Sequence, residues 1–154
     1  VLALAVFAWG HLLRDEILVT LHRGEGVRFQ PPAWGLHGRE GVIEVAAEAD
    51  LVVIEGVGAS QREFEHFVDA SIWVQSDFQE AERRGIARDM AEGVNGDREQ
   101  TIAFWHEWMA HEVRFLAEQR PWERACLVVA GSPTIDLDEG QFAVAPAPSN
   151  NPWL

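Results

Sequence analysis

The sequence contains no lysine, and all twelve of its basic residues are arginine. A phosphate-binding loop of the form G-x-x-x-x-G-K-[ST] needs that lysine to reach the β and γ oxygens while backbone N–H groups cradle the phosphates, so this chain cannot contain the motif. Cysteine is nearly absent as well. Cys126 stands alone, which excludes an internal disulfide, and its place in the apolar run "ACLVVAG" marks it as a small core residue rather than a nucleophile. Long apolar runs are missing too. The opening "VLALAVFAW" falls far short of the roughly 20 residues of a membrane span and lacks the basic flank of a signal peptide, so no membrane partner and a cytoplasmic location are expected. The chain opens on Val1 rather than Met, and a fragment, a processed product or a misread start is the expectation. Positive charge is scarce: twelve basic residues face 25 acidic ones, for a net charge of -13. Such a chain repels polyphosphate backbones and anionic surfaces unless arginines gather locally, so no nucleic-acid partner is expected. The one dense cluster is Arg83, Arg84 and Arg88.

What is present suits an ordinary globular domain. At 154 residues, with 47% hydrophobic and 24% charged residues, the chain can bury roughly 68–70% of its unfolded surface. Residues 1–7 fit either a buried strand or a first helical turn. From Trp9 the pattern is helical, with Leu13, Ile17 and Leu21 four apart and Gly24 as the stop. Val27 to Gln30 and Val42 to Val45 read as an excursion or a hairpin with a long Pro-Pro and Gly-rich connection. Three short apolar runs then alternate with helical stretches: Leu51 to Glu55, Ser71 to Gln75 and Cys126 to Ala130. Continuous β-branched runs separated by helices predict parallel strands buried on both faces, hence an α/β fold. Residues 77–93 and 97–119 are helix-compatible, the second opening on acids suited to a helix N-terminus, and Pro121 interrupts the chain before the last strand. Residues 1–145 are expected to form one domain and 146–154 a flexible tail.

Two stretches carry candidate chemistry. In "DLVVIEGVGAS" the predicted strand ends on Glu55, beyond which Gly56 and Gly58 allow a sharp turn. Ligands of doubly wound α/β proteins sit at such carboxyl ends, and a carboxylate there can hold Mg²⁺ directly or through water. A solvated strand-terminal glutamate is the plainer alternative. In "ERRGIARD", Arg84 and Arg88 are i and i+4 on one helix face, and their planar, permanently charged donors suit a transferring phosphoryl group. The alternative is a solvated face on which Glu80 pairs with Arg84 and a nearby acid with Arg84 or Arg88.

The order of these parts, from Trp9 to Ser132, resembles the C-terminal half of the uridine kinase-like P-loop kinases. The resemblance rests on a strand ending in "EGV", a strand "IWVQSD", a helix with "RRGIARD", a long helix and "RACLVVAGS", preceded by the "LLRDEILVTLHRGEGVRFQPPAW" excursion. It implies a three-layer P-loop NTPase-like parallel sheet flanked by helices and lacking the phosphate-loop segment, so an N-terminally incomplete domain. It implies ATP and Mg²⁺ as cofactors, Glu55 as the metal carboxylate, Arg84 and Arg88 as lid residues over the ATP phosphates, and Gly131, Ser132 and Pro133 near the adenine. The implied reaction is ATP-dependent phosphoryl transfer to a hydroxyl of a nucleoside-like or other small molecule by the complete kinase. The chain by itself is expected to be inactive. Its alternative role is that of a degenerate kinase-like protein binding a nucleotide or a partner, and self-association into a homo-oligomer stays open.

The run "WHEWMAHE" invites a zinc reading, but His106 and His111 are five apart, about 140° around a helix, and the H-E-x-x-H geometry fails. The tryptophans of this run, Phe104, Met109 and Phe115 are expected to pack on the sheet with the histidines at its edge. His11, His22, His37 and His66 show no ligand spacing. Trp34 suits packing under its loop better than base stacking.

Overall fold

The computed structural model describes residues 9–36 and 38–144. The apolar start at 1–7, His37 and the tail at 146–154 lie outside the described residues. The described residues are mixed α/β with two small sheets, and the chain divides into two compact units, Val1–Asp69 and Ala70–Leu154.

In the first unit, helical segments Gly10–Leu12, Leu13–Leu18 and Val19–His22 follow one another as α1, the middle one in π form. The wider hydrogen-bond spacing of the π turn sets Leu13 and Leu18, five apart, on the same side, so both join Ile17 in the core. Gly24 ends the helix at φ 74°, the left-handed conformation that glycine takes without steric cost. Strands β1 (Val27–Phe29) and β2 (Ile43–Val45) pair antiparallel with Val27 opposite Val45 and Phe29 opposite Ile43. The short helix α2 (Pro32–Leu36) lies in their connection, where the Arg39 guanidinium sits 3.9 Å from the Trp34 ring centroid. Arg28 pairs with Glu44 across the outer face, and Val27 is buried against Leu13, Ile17, Leu18 and Phe64. Arg14 reaches Glu63 at 2.8 Å and ties α1 to the short turn Arg62–Phe64.

The predicted strand Leu51 to Glu55 is not formed. These residues have irregular backbone, Leu51 and Val53 are 79% and 76% exposed, and of the four apolar residues only Ile54 packs on the core cluster. A run of β-branched residues becomes an interior strand only beside strands that accept its N–H and C=O groups, and no described strand pairs with this one.

In the second unit, β3 (Ile72–Gln75) and β4 (Leu127–Ala130) pair in parallel, Trp73 opposite Val128 and Gln75 opposite Ala130. Between them run α3 (Phe78–Glu92) and α4 (Arg98–Gln119). Asp77 caps α3 by accepting from the Glu80 N–H, and Gly93 closes it in the left-handed region. Asp97 and Gln100 form a reciprocal capping box at the start of α4. Pro121 opens the turn Pro121–Glu123, which seats Trp122 at 1% exposure, its ring 5.8 Å from that of Trp73.

Burial on both sheet faces does not hold. One face, carrying Trp73 and Val128, is covered, whereas Ile72 and Val74 on the other are 59% and 54% exposed. Cys126, placed in the core by its apolar run, is exposed; it precedes β4, its backbone N–H bonded to the Ser71 carbonyl at 2.9 Å. The aromatic residues of α4 also depart from a sheet-facing arrangement. Trp105 turns to α3, and Phe104 stacks on Trp108 while staying 44% exposed. No helix of the described residues is long and apolar enough to cross a membrane.

Candidate functional site

The arginine helix α3 is set by local signals, and its first two turns line up the charges. Glu80 receives Arg83 through Nε and Nη2 at 2.8 and 2.7 Å, and Arg84 Nε lies 3.3 Å from the same carboxylate. The Arg83 hydrogen bonds, with attraction to Arg83 and Arg84, hold the Glu80 carboxyl below its ordinary range against the opposing pull of desolvation. Arg84 then extends its Nη2 to donate to Ser132 Oγ at 2.7 Å. Two stretches 48 residues apart in sequence, both singled out for the nucleotide, therefore meet at the loop that follows β4.

That loop is shaped by Gly131. Its N–H donates to the Gln75 carbonyl at 2.8 Å, and a Cβ there would fall 2.2 Å from Ser76 Oγ and 2.9 Å from Val74 Cγ1. Only glycine lets the end of β4 come this close to the end of β3. Ser132 is half-buried and Pro133 exposed.

One turn beyond Arg84, Arg88 is 63% exposed yet oriented. Its Nε and Nη2 both donate to Asp89 Oδ1, at 3.0 and 2.8 Å. Asp89 is 5% exposed, and its second oxygen accepts from Trp105 Nε1 at 2.7 Å and Asn95 Nδ2 at 3.0 Å. Burial pushes this carboxyl up, but the bonds from Arg88 and Trp105, the attraction of Arg88 and the bond from Asn95 outweigh it and leave the group below its usual range. The Trp105 ring covers Gly85, where a Cβ would lie 2.0 Å from Cζ2. Asp89, Asn95 and Gly85 were not singled out from the sequence, and Trp105 was expected to pack on the sheet. A glycine inside an otherwise regular helix was the available sign that another group packs close there.

Both arginines thus already hold carboxylates, Arg84 with Glu80 and Arg88 with Asp89, as the plainer alternative for this face anticipated. Each guanidinium has five N–H donors and keeps some of them for a further anion. Glu55 lies in the first unit, exposed on irregular backbone before Gly56 at φ 135°. A single exposed carboxylate matches Mg²⁺ only where phosphate oxygens and water complete the octahedron. Among the described residues no three histidine, cysteine or acidic side chains gather to hold a metal ion, and His106 bonds to Glu82 at 2.9 Å. That pair, with Phe78, Met109 and Val113, lines a crevice of about 610 Å³ between α3 and α4.

Glu112 on α4 carries an electrostatic cost. Burial raises its carboxyl above the ordinary range, and a bond from Trp108 offsets this in part. A folded-state pKa above the unfolded value favours the protonated form in the fold, so the cost is absent below about pH 4.5, where the carboxyl is protonated in both states, and grows as pH rises until it is complete above the raised value. Glu112→Gln is therefore expected to raise the urea midpoint at pH 7 and leave it nearly unchanged at pH 4. Equal shifts at both pH values would show that the carboxyl is not the source.

Comparison of the chain with protein-family models, characterised proteins and solved structures finds no match.

Proposed function

We propose that this chain forms the arginine-lid part of a uridine kinase-like phosphotransferase with a three-layer P-loop NTPase-like sheet, whose complete form moves the γ-phosphoryl group of ATP to a hydroxyl of a nucleoside-like or other small molecule. The observation that carries the reading is the 2.7 Å bond from Arg84 to Ser132. It joins the arginine face to the loop after β4, so a nucleotide seated on that loop would have its phosphates within reach of α3. The bare Ile72 and Val74 face of a parallel sheet also supports the reading, because parallel sheets are ordinarily covered on both faces. In this proposal Arg84 and Arg88 neutralise phosphate charge and exclude water, and Ser132 orients Arg84. Glu55, in the first unit, is the residue that would hold Mg²⁺ in this reading, and Mg²⁺ when bound supplies charge neutralisation. A second reading, a nucleotide-binding protein without catalysis, is favoured by the absence of lysine.

Titration of the chain with Mg-ATP by NMR tests the proposal. Weak binding is expected, weaker by about a hundredfold in Arg84→Ala/Arg88→Ala, since each lost charged hydrogen bond costs about tenfold in affinity. Arg62→Ala, outside α3, is expected to leave it unchanged. Equal binding by the double variant and the unaltered chain would overturn the assignment.

A further inference from the structure

The groups that hold Arg88 do more than pair its charge. An exposed arginine on a helix normally samples many rotamers, and an anion that recruits it must stop that motion at a cost in affinity. Here the guanidinium is held along one edge, Nε and Nη2 both on Asp89 Oδ1, which leaves Nη1 and the outer Nη2 hydrogen for another partner. Asp89 cannot swing to follow it. It is buried, its other oxygen is fixed by Trp105 Nε1 and Asn95 Nδ2, and its backbone carbonyl accepts the capping N–H of Gly93. Trp105 in turn is seated on Gly85, one turn earlier on the same helix. The end of α3, the connection to α4 and α4 itself therefore converge on one carboxylate whose exposed partner is Arg88.

We propose that Asp89, fixed by Trp105 and Asn95, is a positioning residue that presents the Arg88 guanidinium in a set orientation to a polyphosphate. This rests on the phosphate reading above. It differs from a purely structural role for Asp89 in one respect: the buried network lowers the ordering cost of Arg88 when the anion arrives. A competing arrangement has Asp89 merely occupying Arg88, and then loss of the acid would free the cation and strengthen anion binding.

The experiment uses the whole chain, with Mg-ATP and inorganic tripolyphosphate as probes and the Arg Nε–Hε signals followed by NMR. Arg88→Ala is expected to weaken binding by about tenfold. Asp89→Asn, and independently Asn95→Ala and Trp105→Phe, are expected to weaken it by about three- to tenfold and to collapse the Arg88 Nε–Hε signal to an averaged position. Circular dichroism would verify that each variant is folded. Binding that is unchanged or tighter in all three variants, with Arg88→Ala still impaired, overturns the positioning role and leaves the phosphate reading standing. If Arg88→Ala binds as well as the unaltered chain, the phosphate reading fails, and with it the claim that Asp89 presents Arg88 to phosphate.

Discussion

Trp122→Ala is expected to lower the stability of the Ala70–Leu154 unit by about 3–5 kcal/mol, the range for deleting a large aromatic ring from a packed core. Trp122 is 1% exposed and leans on Trp73, so the cavity opens directly beneath β3. The damage should reach the candidate site through a short path. Trp73 Nε1 donates to the Gln75 side chain at 2.9 Å, and the Gln75 carbonyl holds Gly131, the residue before Ser132. Faster hydrogen exchange at the Gly131 amide is therefore expected along with a lower urea midpoint. Trp122→Phe should cost far less than Ala. The Trp122 Nε1 is buried without a hydrogen-bond partner among the described residues, and removing an unpaired donor recovers about 1–3 kcal/mol, which offsets part of the lost volume. If Phe and Ala were equally damaging, the unpaired indole N–H would carry no cost.

Gly85→Ala is expected to destabilise the same unit by about 1 kcal/mol net, although helix propensity alone would favour alanine by about 1 kcal/mol. The new methyl would overlap Trp105 Cζ2 and Cη2 at 2.0 and 2.1 Å. A flexible side chain would yield cheaply, but this ring is anchored by its bond to Asp89. Either α3 and α4 part, at an overpacking cost of about 1–3 kcal/mol, or Trp105 swings out and a buried carboxylate loses a charge-assisted bond of about 1.5–3 kcal/mol. The middle of either range, about 2 kcal/mol, exceeds the gain in propensity. Chemical denaturation decides the sign, and a higher midpoint for alanine would show that Trp105 is free to move.

The parts of the fold legible in the sequence are those whose signals are local. Asp77 and Gly93 bracket α3, Asp97 opens α4, Pro121 marks its end, and the alternation around Val27 and Val45 gives the hairpin. Strand burial is a different kind of property, because it depends on chain remote in sequence. Leu51 to Glu55 has the composition of an interior strand but no paired neighbour among the described residues, and Ile72 and Val74 have a strand on one side only. The same division runs through the candidate site. Spacing on a helix found Arg84 and Arg88, whereas the carboxylate that orients Arg88 depends on Trp105, 16 residues beyond Asp89, and no periodicity announces that bond.

The open edge of β3 and its apolar strip bear on how molecules of this chain behave toward one another. Among the described residues β3 pairs on one side only, and such an edge, flanked by Ile72 and Val74, is a template on which a further strand can add. What opposes this is long-range: a net charge of -13 keeps like molecules apart. That repulsion reaches about 10 Å at 0.1 M salt and only about 3 Å at 1 M. Colloidal stability of this chain is thus a matter of ionic strength, with repulsion guarding in dilute buffer an edge that high salt leaves free to pair.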